Sequence, residues 1–528
     1  YKIRILLVLF AGGLATMAKP QQQANYELAE QFNAFTAGGK LSQNSFGFQP
    51  REINDTDNFW FEYQTSAGKF YYYVTPDKGK QELLFDNDEM AMALSELTRE
   101  RVNPKDLKFY DLIFSKDQKS FTFEYGRKAY EYSRITRRLK EVEKKEVKDK
   151  YYYSDTKYSP DKKYILYAKN HNLYVKGNKE LGVDTTEVQL TFDGMQHYSY
   201  ASKYYDFYPD MEMSTNARWC NDSRHVYFVM EDERKLHDFW VINSLSDKPE
   251  LVKYEFPGDR YVTQYELIVI DVLEKTARKV DIAKWPDQYI MVFSSSSKGD
   301  LLFVERTKRT WDEVDVCSVN TSTLEVKELI HEVDKPYRDV HARSVEVLND
   351  GKDILFRSER TGWGHYYHYD GDGNLKNTIT SGPWVSGHIV AIDTLKREIY
   401  FYGYGRDPKM DPCYYQLYKS HIDREGVTQI TKEDAQHQVH FLKSQRYFID
   451  SFSRVDMEPQ TLLKDNTGKV ILEFPKPDLA QVYAKGWKKP ERFVVKAADN
   501  ATDLYGVMWK PSNFDPEKKY PIISIVYP

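Results

Sequence analysis

A hairpin unit recurs along most of this chain and narrows the folds that it can adopt. Each copy has a polar turn, an alternating strand, a second turn and another strand, as in SPDKKYILYAKNHNLYV at 159–175. In that copy Tyr164, Leu166 and Ala168 share one face of the strand. The eight candidate units lie at 54–74, 115–135, 159–175, 221–242, 296–319, 349–370, 395–420 and 442–465.

Repeated hairpins of this kind predict an all-β fold built from several small sheets. A four-stranded antiparallel sheet cannot bury both faces alone, but sheets packed radially around an axis bury both and leave few edges open. Propellers have about four to eight such blades. The repeats therefore predict an eight-bladed β-propeller over residues 51–480. An array of β-sandwiches and a stacked β-solenoid are the alternatives.

Composition excludes several classes of protein. Hydrophobic residues make up 41% of the chain and charged residues 29%, which excludes a disordered tail and a multi-span membrane protein. The net charge of −5 excludes a strongly basic nucleic-acid-binding protein. Three cysteines, Cys220, Cys317 and Cys413, are too few for a disulfide framework and have no metal-ligand spacing, so we expect free thiols.

The first residues are typical of a secretory signal peptide. Cationic residues precede an apolar run over residues 5–14, and the small residues Thr16 and Ala18 follow at positions suited to cleavage. We predict that residues 1–18 are removed and that the protein is exported, to the periplasm or the cell surface. An uncleaved membrane anchor is the alternative, although the run is short for a membrane span. No membrane span is expected after cleavage, and residues 19–50 are predicted to form an N-terminal segment with a short helix.

Three stretches carry a resemblance to a known family. Residues 358–384 contain an Arg-x-Gly-x-x-His-x-Tyr strand and an Ile-Thr-x-Gly-x-Trp turn, and 250–259 contain a Tyr-x-x-Pro-Gly pattern. Residues 507–528 contain Lys-Pro-x-x-Phe-Asp-Pro before a Tyr-Pro-hydrophobic strand. Together they resemble the dipeptidyl peptidase IV branch of the prolyl oligopeptidase family. In the first stretch the matching residues are Arg360, Gly362, Trp363, His365, Tyr367, Tyr369, Ile379, Thr380, Gly382 and Trp384.

The resemblance implies a serine peptidase whose eight-bladed propeller covers an α/β-hydrolase domain and limits access to the active site. Family members cleave short peptides near the N-terminus, after proline or sometimes alanine, with a Ser nucleophile, a His base and an orienting Asp. On this basis residues 481–528 are the first strands of a truncated hydrolase domain. Peptides are the expected substrates, and no cofactor or metal is expected. Whether the protein forms a homodimer is left open by the sequence.

Few residues of this chain are candidates for the chemistry itself. The chain contains no Gly-x-Ser-x-Gly nucleophile elbow, and the family's Ser, Asp and His come after the position of Pro528, so we expect the chain to be inactive alone. Tyr527 matches the family's Tyr, whose hydroxyl helps to form the oxyanion hole. Aminopeptidase members bind the substrate's amino group with a Glu pair. The corresponding stretch, 193–219, has no such pair but contains Asp206, Asp210 and Glu212 as candidates.

Other side chains in the motif region have structural explanations. His365 and His368 stand three apart on one strand and should face opposite sides, which argues against a metal site. The Asp370–Gly373 stretch is expected to be a hairpin turn because the distal Glu of a calcium loop is missing. The alternative function is a non-catalytic propeller that binds a peptide, glycan or protein partner, because propellers serve many functions.

Overall fold

The computed structural model describes residues 26–30, 32–33, 36–42, 48–144, 157–202, 211–245, 248–339, 343–511 and 513–526. The predicted signal peptide, Asp206, Asp210 and Tyr527 lie outside these residues. The described chain is mostly β-strand with a few short helices, which confirms the all-β prediction. Within it, no helix has the length and apolarity that a membrane crossing requires.

Seven four-stranded antiparallel sheets and one three-stranded sheet contain most of the described strands. Sheet A contains β1 (Arg51–Glu52), β2 (Phe59–Thr65), β3 (Gly68–Thr75) and β4 (Lys80–Leu83), and sheet B contains β5 (Tyr110–Phe114), β6 (Ser120–Tyr125), β7 (Lys128–Ser133) and β8 (Leu139–Val142). Sheet C contains β9 (Tyr164–Lys169), β10 (Asn172–Gly177) and β11 (Val188–Gln189), and sheet D contains β12 (Arg218–Trp219), β13 (His225–Asp232), β16 (Gln264–Asp271) and β17 (Thr276–Lys279).

The remaining sheets continue in chain order. Sheet E contains β18 (Gln288–Ser295), β19 (Leu301–Lys308), β20 (Glu313–Asn320) and β21 (Val326–Val333), and sheet F contains β22 (Val345–Leu348), β23 (Asp353–Ser358), β24 (His365–Asp370) and β25 (Leu375–Thr378). Sheet G contains β26 (Val385–Asp393), β27 (Glu398–Tyr404), β28 (Gln416–His421) and β29 (Thr428–Gln429), and sheet H contains β30 (Gln436–Phe441), β31 (Tyr447–Arg454), β32 (Met457–Asp465) and β33 (Val470–Glu473). Two-stranded pairs are formed by β14 (His237–Val241) with β15 (Glu250–Tyr254), and by β34 (Glu491–Lys496) with β35 (Asp503–Met508).

A few short helices lie before, between and after the strands. They are α1 (Tyr26–Glu30), α2 (Asn87–Thr98) and α3 (Ala480–Ala484), with a π-helix at Thr36–Leu41 and single 3₁₀ turns at Pro76–Lys78, Lys179–Leu181 and Asn349–Gly351. The longest, α2, begins after Asp86, whose carboxylate accepts hydrogen bonds from the first backbone N–H groups. It ends at Arg99 in the left-handed conformation and buries Met90 and Leu94.

The predicted hairpin pairing is confirmed for seven of the eight repeat units and is wrong for the unit at 221–242. In that unit β13 does not pair with the strand that follows it. It pairs over its whole length with β16, and β14 pairs with β15 as a separate ribbon inserted between them. The sequence 233–263 therefore forms its own local hairpin, since β14 finds its antiparallel partner within the insertion.

The described residues fall into two compact units. One runs to Lys144 and again from Gln438, and contains sheets A and B and all of sheet H except the first two residues of β30. The other contains sheets C to G. In the first unit, one apolar core joins sheet A to sheet B and α2, and a second joins sheet A to sheet H. In the other unit, four cores join each sheet from C to G with the next one in the chain. Each sheet therefore buries a face against its neighbour, as the repeat predicted.

Candidate functional site

Charged side chains gather at one end of sheets E and F, where β19, β21 and β23 end. We call this group the E–F charge cluster. It consists of Glu305, Glu332, Asp334, Arg338, Arg343, Arg357, Glu359 and Arg360. Three of these residues, Asp334, Arg338 and Arg343, come from the connection between β21 and β22.

Arg360, the motif residue identified from the sequence, connects the two sheets. Its guanidinium donates to the Glu332 carboxylate at 2.7 and 3.1 Å and to the Tyr369 hydroxyl at 2.7 Å. It also lies over the ring of Tyr367, 4.1 Å from the ring centre. Ser358 donates a further hydrogen bond to Glu332 at 2.6 Å. Because Glu332 is buried, these charge-assisted bonds are needed to compensate the desolvation of its carboxylate.

Arg357 is the most deeply buried cation of the cluster, with 1% of its surface exposed. Its Nε donates to the Ser386 carbonyl at 2.7 Å and its Nη1 donates to Glu359 at 3.0 Å. Its own carbonyl accepts a hydrogen bond from Arg338 at 2.9 Å. A Cβ at Gly364 would lie 1.8 Å from Arg357 Nη2, so the glycine leaves the space that the guanidinium occupies.

Several polar atoms of the cluster are buried without a partner among the described residues. They are Arg338 Nε and Nη1, Asp334 Oδ2, Glu332 Oε1 and Glu305 Oε2. Burial, followed by the neighbouring charge of Glu332, raises the pKa of Asp334 to about 6. An unsatisfied buried polar group costs about 1–3 kcal/mol. Donors and acceptors left open in this way can be satisfied by ordered water or by the polar groups of a bound molecule.

Glu212 is the only one of the three acidic candidates within the described residues. It lies beside Met213, which pairs with Ala168 of β9. Its carboxylate forms an ion pair with Lys176 at 2.5 Å, and the Lys176 ammonium also lies 4.7 Å from the centre of the Tyr167 ring. The charge of Glu212 is therefore balanced within the chain. Asp206 and Asp210 remain predictions.

The two motif histidines have structural partners, as the sequence predicted. His365 faces the turn after β25 and makes hydrogen bonds to the Thr380 hydroxyl at 3.1 Å and the Gly382 carbonyl at 2.8 Å. Burial lowers the pKa of His365. His368 points to the opposite face and lies 2.6 Å from the Asp353 carboxylate. The Asp370–Gly373 stretch is the predicted hairpin turn, in which the Asp370 carboxylate accepts from backbone N–H groups.

One cluster of metal-ligand type lies on sheet E. Asp315, Glu328 and His331 bring one ligand atom each within 4.8 Å of one another. The Lys284 ammonium lies among them, 2.8 Å from Asp315, 3.0 Å from Glu328 and 3.4 Å from His331 Nδ1. Arg306 adds a second cation, 2.8 Å from Asp315. The positive charge that two carboxylates require is thus supplied by the chain's own side chains.

Sequence reasoning identified Arg360 of the E–F charge cluster, together with its partner Tyr369, and missed the other members of the cluster. Their positions spread from residue 305 to residue 359, on separate strands and two connections. The spacing of such residues carries no signal, because a tertiary contact between sheets brings them together. The Arg-x-Gly-x-x-His motif was the one local indication of the site.

Comparison with known proteins identifies relatives. The sequence model of the family described as "Dipeptidyl peptidase IV (DPP IV) N-terminal region" matches residues 105–459. The chain is 23% identical over 394 residues to a probable dipeptidyl peptidase 4 of Trichophyton verrucosum, a match that covers 70% of this chain and 50% of the relative. It is 23% identical over 394 residues to dipeptidyl peptidase 4 of Trichophyton rubrum, with 70% and 49% covered. The chain thus spans about half the length of the curated relatives that it matches.

Solved structures show the same fold. The crystal structure of Porphyromonas gingivalis dipeptidyl peptidase 4 aligns with a TM-score of 0.62 at 19% identity, over 95% of this chain and 69% of that one. A putative dipeptidyl aminopeptidase IV from Bacteroides ovatus aligns with a TM-score of 0.60 at 16% identity, over 91% and 68%. At this level of identity the likeness concerns the fold alone.

Proposed function

Because the chain belongs to the family of the dipeptidyl peptidase IV N-terminal region, we propose that it is part of an exported serine peptidase of the dipeptidyl peptidase type. The substrates are short peptides, cleaved near their N-terminus after proline or alanine. The eight sheets form the blades of a propeller that limits access to the active site, and residues 481–528 begin the hydrolase domain. The family match over residues 105–459 is the observation that carries the proposal.

The E–F charge cluster supports a role in binding peptides. A peptide backbone presents N–H donors and C=O acceptors, and the cluster offers unpartnered groups of both kinds at Arg338 and Asp334. Arg343 and Arg360, both about one third exposed, give the cluster a surface that solvent can reach. Buried polar groups that fold without partners are costly, so their presence is better explained by a ligand or ordered water than by stability.

Chromogenic peptides test the proposed activity. The assay uses the product of the complete reading frame that contains residues 19–528, with Gly-Pro and Ala-Ala p-nitroanilides. We expect release of p-nitroaniline from both substrates and no release from their N-acetylated forms, because a dipeptidyl peptidase requires the free amino group. Residues 19–528 alone should be inactive. A folded full-length product that cleaves neither free dipeptide would contradict the proposal and favour the non-catalytic binding protein.

Export is a separate part of the proposal. The evidence for it is the cationic and apolar pattern of residues 1–18. Expression in a bacterial host followed by cell fractionation and N-terminal sequencing tests it directly. We expect the protein in the periplasm or at the cell surface with Lys19 as its first residue, and a cytoplasmic protein that keeps residues 1–18 would contradict it.

The inserted ribbon favours a homodimer as the quaternary state. Trp240 and Leu251 on the β14–β15 ribbon are 57% and 47% exposed, and Ile242, directly after β14, is 83% exposed. A two-stranded hairpin is only marginally stable in water, so this ribbon would gain order by packing against a second surface. We propose that the surface is the same ribbon of a second copy, since isologous contacts are the commonest in oligomers. Sedimentation of the Trp240→Ser, Leu251→Ser variant should give a monomer where the unmodified protein gives a dimer.

A further inference from the structure

A cleft of about 730 Å³ lies between sheets A and B, in the first compact unit. It opens where the turn at 115–120 meets the turn at 133–138. Buried Leu84, Phe85 and Tyr132 form part of its floor. The cleft contains none of the residues of the E–F charge cluster.

Arg134 fixes the floor of the cleft. Its guanidinium lies 3.7 Å from the centre of the Tyr73 ring. It donates to the Gln118 carbonyl at 2.8 Å and to Glu82 at 3.2 Å. Tyr73 in turn donates to the Gln118 side chain at 2.6 Å. These contacts tie sheet A to the turn of sheet B, so the cleft is a formed feature of the fold.

The acidic side chains of the cleft already have partners. Glu82 pairs with Lys80 at 2.5 Å as well as with Arg134. Asp86 accepts from two backbone N–H groups at the start of α2. Asp117 accepts from the Ser115 hydroxyl at 2.8 Å, and its hydrogen bonds lower its pKa, the largest effect coming from Ser115. The negative charges of the cleft are therefore balanced or hydrogen-bonded within the protein.

The cations at the rim are much less engaged. Lys116 makes no hydrogen bond or ion pair with any residue that the structure describes. Lys119 is 3.7 Å from Asp117, and Arg137 is 3.8 Å from Glu89, at the outer limit of an ion pair. Exposed pairs of this kind contribute little, so three positive charges remain available around one cleft.

A strand edge borders the same cleft. β4 is the last strand of sheet A and, among the described strands, pairs only with β3. Its residues Glu82 and Leu83 line the cleft. An edge strand offers backbone N–H and C=O groups to an added extended chain, and Leu83 and Ile135 are exposed apolar side chains beside it.

We propose that this cleft binds an acidic peptide segment. The segment lies extended along β4, places carboxylates near Lys116, Lys119 and Arg137, and packs apolar side chains against Leu83 and Ile135. A strand edge selects a peptide over a glycan because only a peptide backbone can continue the sheet. The proposal goes beyond the peptidase function and does not depend on catalysis.

Fluorescence anisotropy with fluorescein-labelled hexaglutamate tests the proposal on residues 19–528. We expect hexaglutamate to bind and labelled hexalysine not to bind, with affinity falling as salt rises from about 50 to about 300 mM. The Lys116→Gln, Lys119→Gln, Arg137→Gln variant should bind about tenfold more weakly. The variant Lys116→Arg, Lys119→Arg, Arg137→Lys replaces each cationic side chain by the other cationic type. It keeps the three positive charges and should retain binding.

A matched control separates the cleft from general charge. Lys275→Gln, Lys298→Gln, Lys352→Gln removes three exposed cations elsewhere and should bind like the unmodified chain. Equal affinity of the cleft variant and the unmodified chain would overturn the proposal, as would an equal loss in the control. A sulfated tetrasaccharide that binds at the cleft where hexaglutamate does not would overturn the choice of a peptide.

Discussion

The junction between sheets A and B (the A–B junction) and the junction between sheets E and F (the E–F junction) each join two neighbouring sheets, but with different side chains. The first is filled by aromatic rings, among them Phe109 and Phe123 with ring centres 4.2 Å apart, and is extended by α2. The second has an apolar core but ends in the E–F charge cluster, with buried atoms of Arg338 and Asp334 left without partners. Aromatic packing stabilises wherever it is placed, whereas unpaired buried polar groups cost stability. The contrast indicates that aromatic packing between sheets A and B serves the fold, whereas the E–F end gives up stability at its unpartnered polar groups, in line with the binding role proposed for it.

The largest loss of stability is expected for a substitution in the aromatic core between sheets A and B. Phe121 is fully buried and its ring centre is 5.3 Å from that of Tyr132 and 5.4 Å from that of Phe114. Phe121→Ala should lower the free energy of unfolding by about 4 kcal/mol, because it removes a buried ring and leaves a cavity. Urea unfolding followed by intrinsic fluorescence measures this loss. Phe121→Leu, the matched control, should cost much less, and equal losses would contradict the cavity explanation.

Substitutions at Arg357 test whether the stability of the junction between sheets E and F depends on this buried side chain. Arg357→Met should lower the free energy of unfolding by about 3 kcal/mol, because it leaves Glu359 and the Ser386 carbonyl without their donor. Gly364→Ala should also destabilise the protein, since its Cβ would meet Arg357. In the Arg357→Met background the alanine should have no further effect. Additive losses in that double-mutant cycle would mean that Gly364 acts independently of Arg357.

Asp334 gives the E–F junction a pH dependence that extends up to about pH 6. Its pKa of about 6 in the folded protein lies above the ordinary value of 3.8, so the folded state holds this proton more tightly than the unfolded chain does. The stability that this proton contributes is complete below pH 3.8 and is lost as pH rises through about 6. Asp334→Asn should therefore raise the free energy of unfolding at pH 7.5 by up to about 3 kcal/mol.

Urea unfolding at a series of pH values measures the effect of Asp334→Asn. Its difference from the unmodified chain should shrink as pH falls from about 7.5 to about 4. Exposed Asp281 provides the control, and Asp281→Asn should leave the pH profile unchanged. A constant difference across this range would show that the effect of Asp334→Asn does not come from ionisation.

The smallest effect is expected at the surface of the E–F charge cluster. Arg360→Lys keeps the positive charge but cannot contact Glu332 and Tyr369 with one planar group. The free energy of unfolding should fall by about 1 kcal/mol in urea. A loss as large as that of Arg357→Met would mean that Arg360 contributes as much as Arg357 to the stability of the junction between sheets E and F.

Much of the architecture could be predicted from local patterns. Alternating side chains and polar turns define a strand and its nearest partner, and the predicted hairpin pairing is confirmed in seven of the eight units. The prediction was wrong for 221–242 because the partner of β13 is β16, beyond an insertion that pairs with itself. Local alternation cannot distinguish the next strand from a later one when both have the same period.

The chain by itself determined the strands, the turns and the family, because each of these depends on residues that are neighbours in sequence. Only the tertiary structure decided which charges meet. Glu332 and Arg360 are on different sheets, and Arg338 reaches the carbonyl of Arg357 from a connection between strands. Electrostatic and hydrogen-bond contacts depend on distance in space, so the packing of sheet E against sheet F created the cluster.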